Sequence, residues 1–219
     1  MPLSTAVIEI VLLSLFVSGT ATTVAGLIGV PLGAVFALGR FRGRGLVMRV
    51  VYTLMGFPPV LAGVVVFLIL SASGPLGRLQ LLFTPVAMII AQTLLVLPIV
   101  TGLTAAAVTA KDREIRETAV ALGATPRQAA TKVLAEARVG ISGALAAGLG
   151  RAIGEVGAVM LVGGNIAGYT RVMTTAIVLE TRKGDYVLGL WLGVVLLVVA
   201  FGVNVLLSGL QGRGAGEAR

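Results

Sequence analysis

The chain has 219 residues, of which 57% are hydrophobic and only 12% are charged, and its mean hydropathy is +1.04. This apolar content exceeds the roughly one half that is typical of soluble domains, so a water-soluble globular protein is excluded. The sequence has no Cys and no His. It therefore has no disulfides or thiolate metal sites and lacks the commonest general base, so we expect no metal site and rank an intramembrane enzyme as the weakest class.

Five apolar stretches are long enough to cross a bilayer. A spanning helix needs roughly 20 mostly apolar residues, because its backbone groups find no water to bond within lipid. The predicted fold is therefore all-α, a polytopic membrane protein with one transmembrane domain over residues 1–210 and a short tail over 211–219. The predicted spans cover residues 6–38, 50–71, 84–108, 139–164 and 187–210.

Prolines interrupt the first three spans. Pro31 in the first span predicts a bend, a tilt or an interfacial turn. Phe57-Pro58-Pro59 interrupts the second span, and Pro98 lies inside the third. Proline removes a backbone donor, but membrane helices tolerate it where neighbouring groups repair the hydrogen bonding.

A charged segment, residues 110–138, separates the third span from the fourth. It predicts two short amphipathic helices that meet at Gly123, a residue type that favours the left-handed backbone at the end of a helix. Asp112 is placed to cap the first helix, and Thr125 with Gln128 forms a capping-box pattern for the second. A hairpin of such definite shape predicts a docking surface, and the alternative is a loop that lies on the lipid headgroups.

Arg151 and Glu155 are the ionisable residues of the fourth span. They lie four residues apart, so they can pair on one helix. Each such group costs about 2.5 to 3.5 kcal/mol in a membrane helix on insertion scales, so we expect both to face protein or water. A structural ion pair is the favoured interpretation. Small residues at four-residue intervals also predict a seam for close helix packing, at Ala146, Gly150, Gly154 and Ala158.

The distribution of Lys and Arg predicts the orientation, because short cytoplasmic loops carry the excess of positive charge. Twelve of these residues follow the first, third and fifth spans, four lie on the opposite side and Arg151 lies within a span. We therefore place the N-terminus outside and the C-terminus in the cytoplasm. The net charge of +8 could indicate nucleic-acid binding, but its position at span ends fits orientation, so no nucleic-acid partner is expected.

The charged segment resembles a loop of a known family. Glu117-Thr118-Ala119 followed by Gly123 resembles the cytoplasmic EAA loop of ABC importer permeases, in which Glu-Ala-Ala precedes Gly by a fixed spacing. The second half departs from the family pattern of an apolar residue followed by Leu-Pro, since those positions hold Val133, Ala135 and Glu136.

The resemblance extends over nearly the whole chain. The matching stretches are Pro31-Leu32-Gly33, the basic turn Arg40-Phe41-Arg42-Gly43, Phe57-Pro58-Pro59, and residues 150–157 and 163–166. They look like the oxyanion branch of type I importers, the molybdate and tungstate permeases. Residues 174–181 with 183–185 look closer to tungstate permeases.

This resemblance implies the permease subunit of an ATP-driven importer that moves an oxyanion by alternating access, with tungstate ranked first. It implies a homodimer in the prokaryotic cytoplasmic membrane, in contact with lipid, two cytoplasmic ABC ATPases and an extracytoplasmic oxyanion-binding protein. The chain itself would have no catalytic residue and no cofactor, since ATP and magnesium would bind to the ATPases. Glu117, Thr118, Ala119 and Gly123 would contact those ATPases.

Two alternatives stay open. The cargo could be molybdate, sulfate or another solute, and a stand-alone channel or ion-coupled carrier would need no ATPase. Within an importer, Arg151 could supply positive potential to a divalent anion on the translocation path, with Glu155 limiting its affinity and Asn165 offering a transient hydrogen bond. A permease should bind its cargo weakly, because tight sites slow release.

Overall fold

The computed structural model describes residues 3–39 and 41–216, with side chains for 5–39 and 41–205. These residues form nine α-helices, one short 3-10 turn at Gly77–Leu79 and no strand, which confirms the predicted all-α fold. The helices are α1 (Leu3–Leu38), α2 (Arg44–Met55), α3 (Pro59–Leu70), α4 (Pro85–Ala121), α5 (Pro126–Glu136), α6 (Arg138–Ile153), α7 (Gly157–Gly163), α8 (Met173–Arg182) and α9 (Tyr186–Gly216).

Three of these helices are long and apolar enough to cross a bilayer, namely residues 5–38 of α1, all of α4, and residues 186–205 of α9. Two further spans result if each bent pair of helices is counted as one crossing. The bend is 99° between α2 and α3 and 53° between α5 and α6. The described chain thus has three to five candidate spans, and the predicted number of about five corresponds to the upper value.

The helix bounds differ from the predicted spans in three places. α1 continues through Pro31 without an interfacial turn. The stretch predicted as a single fourth span is broken after Ile153, and the separate helix α7 starts at Gly157. α9 continues to Gly216, so most of the predicted tail is helical. Two of the basic positions used for orientation, Arg40 and Arg219, lie outside the described residues.

The predicted helix start at Asp112 is wrong, because α4 is one continuous helix of 37 residues. Asp112 lies inside it and forms an ion pair with Arg116 at 2.7 Å, one turn further along. A helix can pass from lipid into water without interrupting its backbone hydrogen bonds, and charged pairs four residues apart stabilise its part in water. The first arm of the predicted hairpin is therefore the end of the third span.

The predicted seam of small residues in the fourth span does not run along one continuous helix. Gly150 has no neighbouring atom within 4 Å of the place where a Cβ would lie. Ala158 belongs to α7, beyond the break, and packs against Gly63 of α3. Since the helix ends at Ile153, residues on either side of the break no longer share one helical face.

α4 lies at the centre of the helix packing. Its first half contributes Met88 and Ala91 to a buried apolar cluster with residues of α1, α3 and α7. Its second half contributes Ala105 and Val108 to another cluster, which includes Val133 of α5. Helices α1, α3, α5 and α7 thus all pack against the same central helix.

We expect the α1–α4 contact at Gly33 to be sensitive to a single methyl group. A Cβ there would lie 2.6 Å from the Thr101 carbonyl oxygen, so Gly33→Ala should lower the free energy of unfolding by about 1 to 3 kcal/mol through overpacking. Gly19→Ala is the matched control, because open space surrounds Gly19 in the same helix. Thermal unfolding of the two variants in detergent would test this, and equal melting temperatures would contradict the close contact.

Candidate functional site

Gly123 ends α4 in a Schellman motif. Its φ angle is +83°. The Gly123 N–H donates to the Val120 carbonyl and the Ala124 N–H to the Ala119 carbonyl, each at 2.9 Å, which satisfies carbonyls that the helix end leaves unpaired. Open space surrounds Gly123, but any side chain would be strained at this angle. The predicted left-handed turn is confirmed.

The second arm of the hairpin, α5, begins with the predicted capping box. The backbone N–H of Thr125 donates to Oε1 of Gln128 at 2.8 Å, and the Gln128 N–H donates to Oγ1 of Thr125 at 3.4 Å. Ala129 and Val133 are fully buried against the rest of the protein. We call residues 110–121 of α4, the turn 122–125 and α5 together the polar hairpin; its base is anchored and its turn projects outward.

A groove of about 360 Å³ runs between the two arms of the polar hairpin. Leu122, which is 83% exposed, lies at its open end. Lys132 and Glu136 line the α5 side and form an ion pair at 2.8 Å. The hydrogen bond from Lys132, together with its charge, lowers the pKa of Glu136, so this carboxylate stays ionised. The groove therefore offers an exposed apolar anchor beside stable charges, a combination suited to protein docking.

The four residues predicted to contact an ATPase lie on or beside this groove. Thr118 and Ala119 line it, and Gly123 forms the turn at its end. The Glu117 side chain is 69% exposed and pairs with Arg113 at 3.2 Å. Thr118 and Ala119 therefore share the groove, Glu117 lies outside its lining, and the role of all four residues stays a prediction.

Glu155 lies in the break between α6 and α7, with its side chain almost fully buried. One carboxylate oxygen accepts a hydrogen bond from Nη1 of Arg151 at 2.7 Å, and the other accepts from the Ala158 N–H at 3.0 Å. The spacing of four residues thus produces the ion pair. The same carboxylate also caps α7, a favourable place for a negative charge.

Two other buried side chains support the break, and both were missed from the sequence. Thr174 of α8 donates to the Glu155 carbonyl at 2.7 Å. Gln92 of α4 donates to the Ala152 carbonyl at 3.0 Å, where α6 ends. Gln92 carries the one carboxamide side chain of the predicted third span, which is a signal that could have identified it. Thr174 gave no comparable signal, because its contact depends on tertiary structure.

Arg151 is partly exposed: a third of its side chain is accessible, whereas the side chain of its partner Glu155 is 2% exposed. Asn165 is not part of the cluster. Its Oδ1 accepts a hydrogen bond from Nε of Arg171 at 3.2 Å, in the turn that follows α7. The structure thus brings Arg151 and Glu155 together and gives Asn165 a different partner.

Comparison with known proteins relates the whole chain to membrane transport proteins. The family model described as "Binding-protein-dependent transport system inner membrane component" matches residues 29–213. The chain is 44% identical over 205 residues to the tungstate uptake system permease protein TupB of Peptoclostridium acidaminophilum, covering 94% of this chain and 90% of the relative. It is 43% identical over 218 residues to a protein of Haloferax volcanii named "Probable anion ABC transporter permease protein", covering 97% and 94% respectively.

A solved structure has the same fold. It is the crystal structure of a bacterial ABC transporter involved in the import of the acidic polysaccharide alginate. The superposition has a TM-score of 0.68 and covers 94% of this chain and 79% of that chain, at 21% sequence identity. At this identity the likeness concerns the fold.

Removing the charge of Glu155 should destabilise the helix break. Glu155→Gln keeps the size of the side chain but leaves Arg151 without its carboxylate, so we expect the free energy of unfolding to fall by about 2 kcal/mol. Arg113→Gln is the control, because it breaks an exposed pair and should change that free energy by less than about 1 kcal/mol. Chemical unfolding in lipid nanodiscs would measure both.

A double-variant cycle separates the ion pair from the cap. Since Arg151→Met removes the partner that Glu155→Gln leaves unpaired, the double variant should lose less stability than the sum of the two single variants. Additive losses would contradict an energetic link between the two side chains.

Proposed function

The chain belongs to the family of binding-protein-dependent transport system inner membrane components and is a multi-pass membrane permease of an ABC importer; we propose that its cargo is an oxyanion, with tungstate ranked first. The observation that carries this proposal is the high identity, over nearly the full length of both chains, to a tungstate uptake permease. The similarly related Haloferax volcanii protein, named for anion transport, supports the oxyanion class. Molybdate and sulfate are the alternative cargoes.

The chain acts as a transport subunit without catalytic residues, and a separate ATPase supplies the energy. The sequence contains no Gly-rich phosphate loop ending in Gly-Lys-Ser or Gly-Lys-Thr, so it cannot hold a nucleotide by that route. In this proposal ATP and magnesium bind to the partner ATPases, and this chain has no cofactor of its own.

The functional unit is a homodimer of this chain with two cytoplasmic ATPases and an extracytoplasmic binding protein. Each ATPase docks on one polar hairpin through Glu117, Thr118, Ala119 and Gly123. The exposed Leu122, which lines the groove, supports this assignment in one respect: a partner that covered it would remove its apolar surface from water. The excess of Lys and Arg on the hairpin side supports a cytoplasmic hairpin and C-terminus and an external N-terminus.

The continuous helix α4 gives the importer its lever. ATP-driven closure of the two ATPases would bring the hairpin turns of the two copies together. Because the hairpin's first arm is the end of a membrane span, that displacement passes directly into the transmembrane region and changes the side to which the pathway opens.

The Arg151–Glu155 pair supports this mechanism as a structural element that holds the α6–α7 break together. The partial exposure of Arg151 also favours a second role, in which its free face lends positive potential to a passing oxyanion. Asn165 remains a candidate for contact with the cargo near the turn after α7.

Reconstitution tests the proposed function. Proteoliposomes that contain this chain, its ATPase and its binding protein should accumulate tungstate with ATP hydrolysis, and molybdate and sulfate at equal concentration would rank the cargoes. The chain alone should transport none of them, because it lacks an energy source. Oxyanion flux through the purified chain alone would contradict the proposal.

Replacing the glycine of the hairpin turn should uncouple the importer. Gly123→Val forces a branched side chain into the left-handed region, at a cost of about 1 to 2 kcal/mol, so we expect ATPase affinity and uptake to fall by about tenfold. Gly184→Val is the matched control, because Gly184 has a φ angle of +86° and equally open surroundings but lies between α8 and α9. Uptake would be compared at equal abundance, and equal losses in both variants would rule out a coupling role for Gly123.

A further inference from the structure

A narrow apolar groove opens where α2 bends away from α3. Its volume is about 320 Å³, and its lining includes Phe36, Leu54, Val65, Leu94 and Pro98, from four different helices. Leu54, Val65 and Leu94 remain 37% to 40% exposed, so the groove is open to the surroundings. The only polar side chain in the lining is Thr101, whose hydroxyl donates to a carbonyl within its own helix at 2.8 Å. The groove therefore offers a hydrocarbon surface and no site for a polar solute.

α2 connects this groove, which lies beside the middle of the α4 span, to one face of the membrane. Arg44, the first residue of α2, donates to the Ala37 carbonyl at the end of α1 at 3.0 Å. Ala37 packs in one cluster with Val108 of α4, whereas Met55 at the other end of α2 lies against Gly102. Six residues of α4 correspond to about 9 Å. α2 is thus an inclined helix that starts at one membrane face and dips by about the depth to which interfacial helices bury their apolar side.

The surface of α2 has the character of an interfacial helix. No described residue of α2 is buried. Leu46, Val50 and Leu54 recur at four-residue spacing and form an exposed apolar flank that leads to the groove. Arg49 lies on the adjoining exposed flank. An apolar flank beside a basic one allows a helix to contact acyl chains and headgroups together.

Unpaired positive charge surrounds the same helix. The sequence has no Asp or Glu between Glu9 and Asp112. The Arg44 side chain donates hydrogen bonds to two backbone carbonyls of α1. Arg42 and Arg49 are exposed, and neither forms an ion pair within the part of the chain that the structure describes. Two free guanidinium groups at a membrane face suit a phosphodiester, which accepts hydrogen bonds in their fork geometry.

We propose that the α2–α3 elbow binds one anionic phospholipid of the cytoplasmic leaflet. A hydrocarbon chain of the lipid occupies the groove, and its phosphate contacts Arg42 and Arg49. The choice of the cytoplasmic leaflet depends on the orientation given with the proposed function. The apolar groove and the free arginines do not depend on it. The bound lipid covers apolar surface that helix packing leaves open and holds α2 against α4 at Gly102.

Lipid retention tests the headgroup contact. The full chain would be reconstituted in vesicles of phosphatidylcholine and phosphatidylglycerol, extracted in mild detergent and examined by native mass spectrometry. We expect the chain to retain phosphatidylglycerol in preference, and the double variant Arg42→Gln/Arg49→Gln to lose that preference by about tenfold. Arg78→Gln is the control, because Arg78 is exposed at the opposite end of α3. An unchanged preference in the double variant would overturn the assignment.

A second pair of variants tests the groove. Val65→Trp should fill it and abolish retention of either lipid, whereas Val64→Trp should not, because Val64 is equally exposed on α3 but does not line the groove. Equal retention by the two variants would overturn the groove as the binding site. These measurements involve no transport, so a failed lipid test leaves the proposed importer function standing, and a failed uptake assay leaves the lipid site standing.

Discussion

The constraint on which this structure depends is that backbone groups exposed by a break in a membrane helix must find partners inside the protein. The two breaks meet it differently. Between α2 and α3, Pro58 and Pro59 have no N–H, and the preceding Gly56 and Phe57 donate back to their own helix at 3.1 and 3.0 Å. Between α6 and α7, where prolines are absent, the buried carboxylate of Glu155 supplies the missing acceptor. One member of the ionisable pair in the fourth span, Glu155, thus accepts a hydrogen bond from the backbone at the break, and Arg151 contacts its other carboxylate oxygen.

The sequence distance between a group and its hydrogen-bond partner decides which of these features could be predicted. The turn at Gly123 and the capping box of Thr125 and Gln128 were predictable, because each is formed by residues within a few positions of one another. The break after Ile153 was not, since its partners are Gln92, 60 residues before Ala152, and Thr174, 19 residues after Glu155. The Arg151–Glu155 pair followed from spacing alone, but the cap that Glu155 provides did not.

The predicted helix start at Asp112 and the predicted continuous fourth span were wrong for a related reason, since both were inferred from runs of charged or apolar residues. A run of charged residues marks where a chain leaves lipid, but it does not end a helix, because i,i+4 pairs such as Arg116 with Asp112 stabilise helical structure in water. Equally, a run of apolar residues marks membrane environment without guaranteeing one continuous helix. Composition therefore located the apolar segments better than it located the ends of the helices. The resemblance of the EAA segment predicted a role for the hairpin without revealing that its first arm belongs to a span.

The continuity of α4 changes how force can pass through the permease. Two short hairpin helices joined flexibly to the third span would absorb a push at the turn in their own joint. In the single helix of 37 residues, about 55 Å long, no such joint separates the hairpin arm from the span, since its internal proline, Pro98, lies 12 residues before residue 110. A displacement of its hairpin end must instead be accommodated where α4 packs, and those contacts include Gly33 of α1 and, through Gln92, the last turn of α6 beside the break. At the α6–α7 break, hydrogen bonds from or to the side chains of Glu155, Gln92 and Thr174 hold the backbone in place of a continuous helix. If the hairpin turn is displaced as proposed, we expect the displacement to reach the last turn of α6, where Arg151 lies, through the hydrogen bond from Gln92.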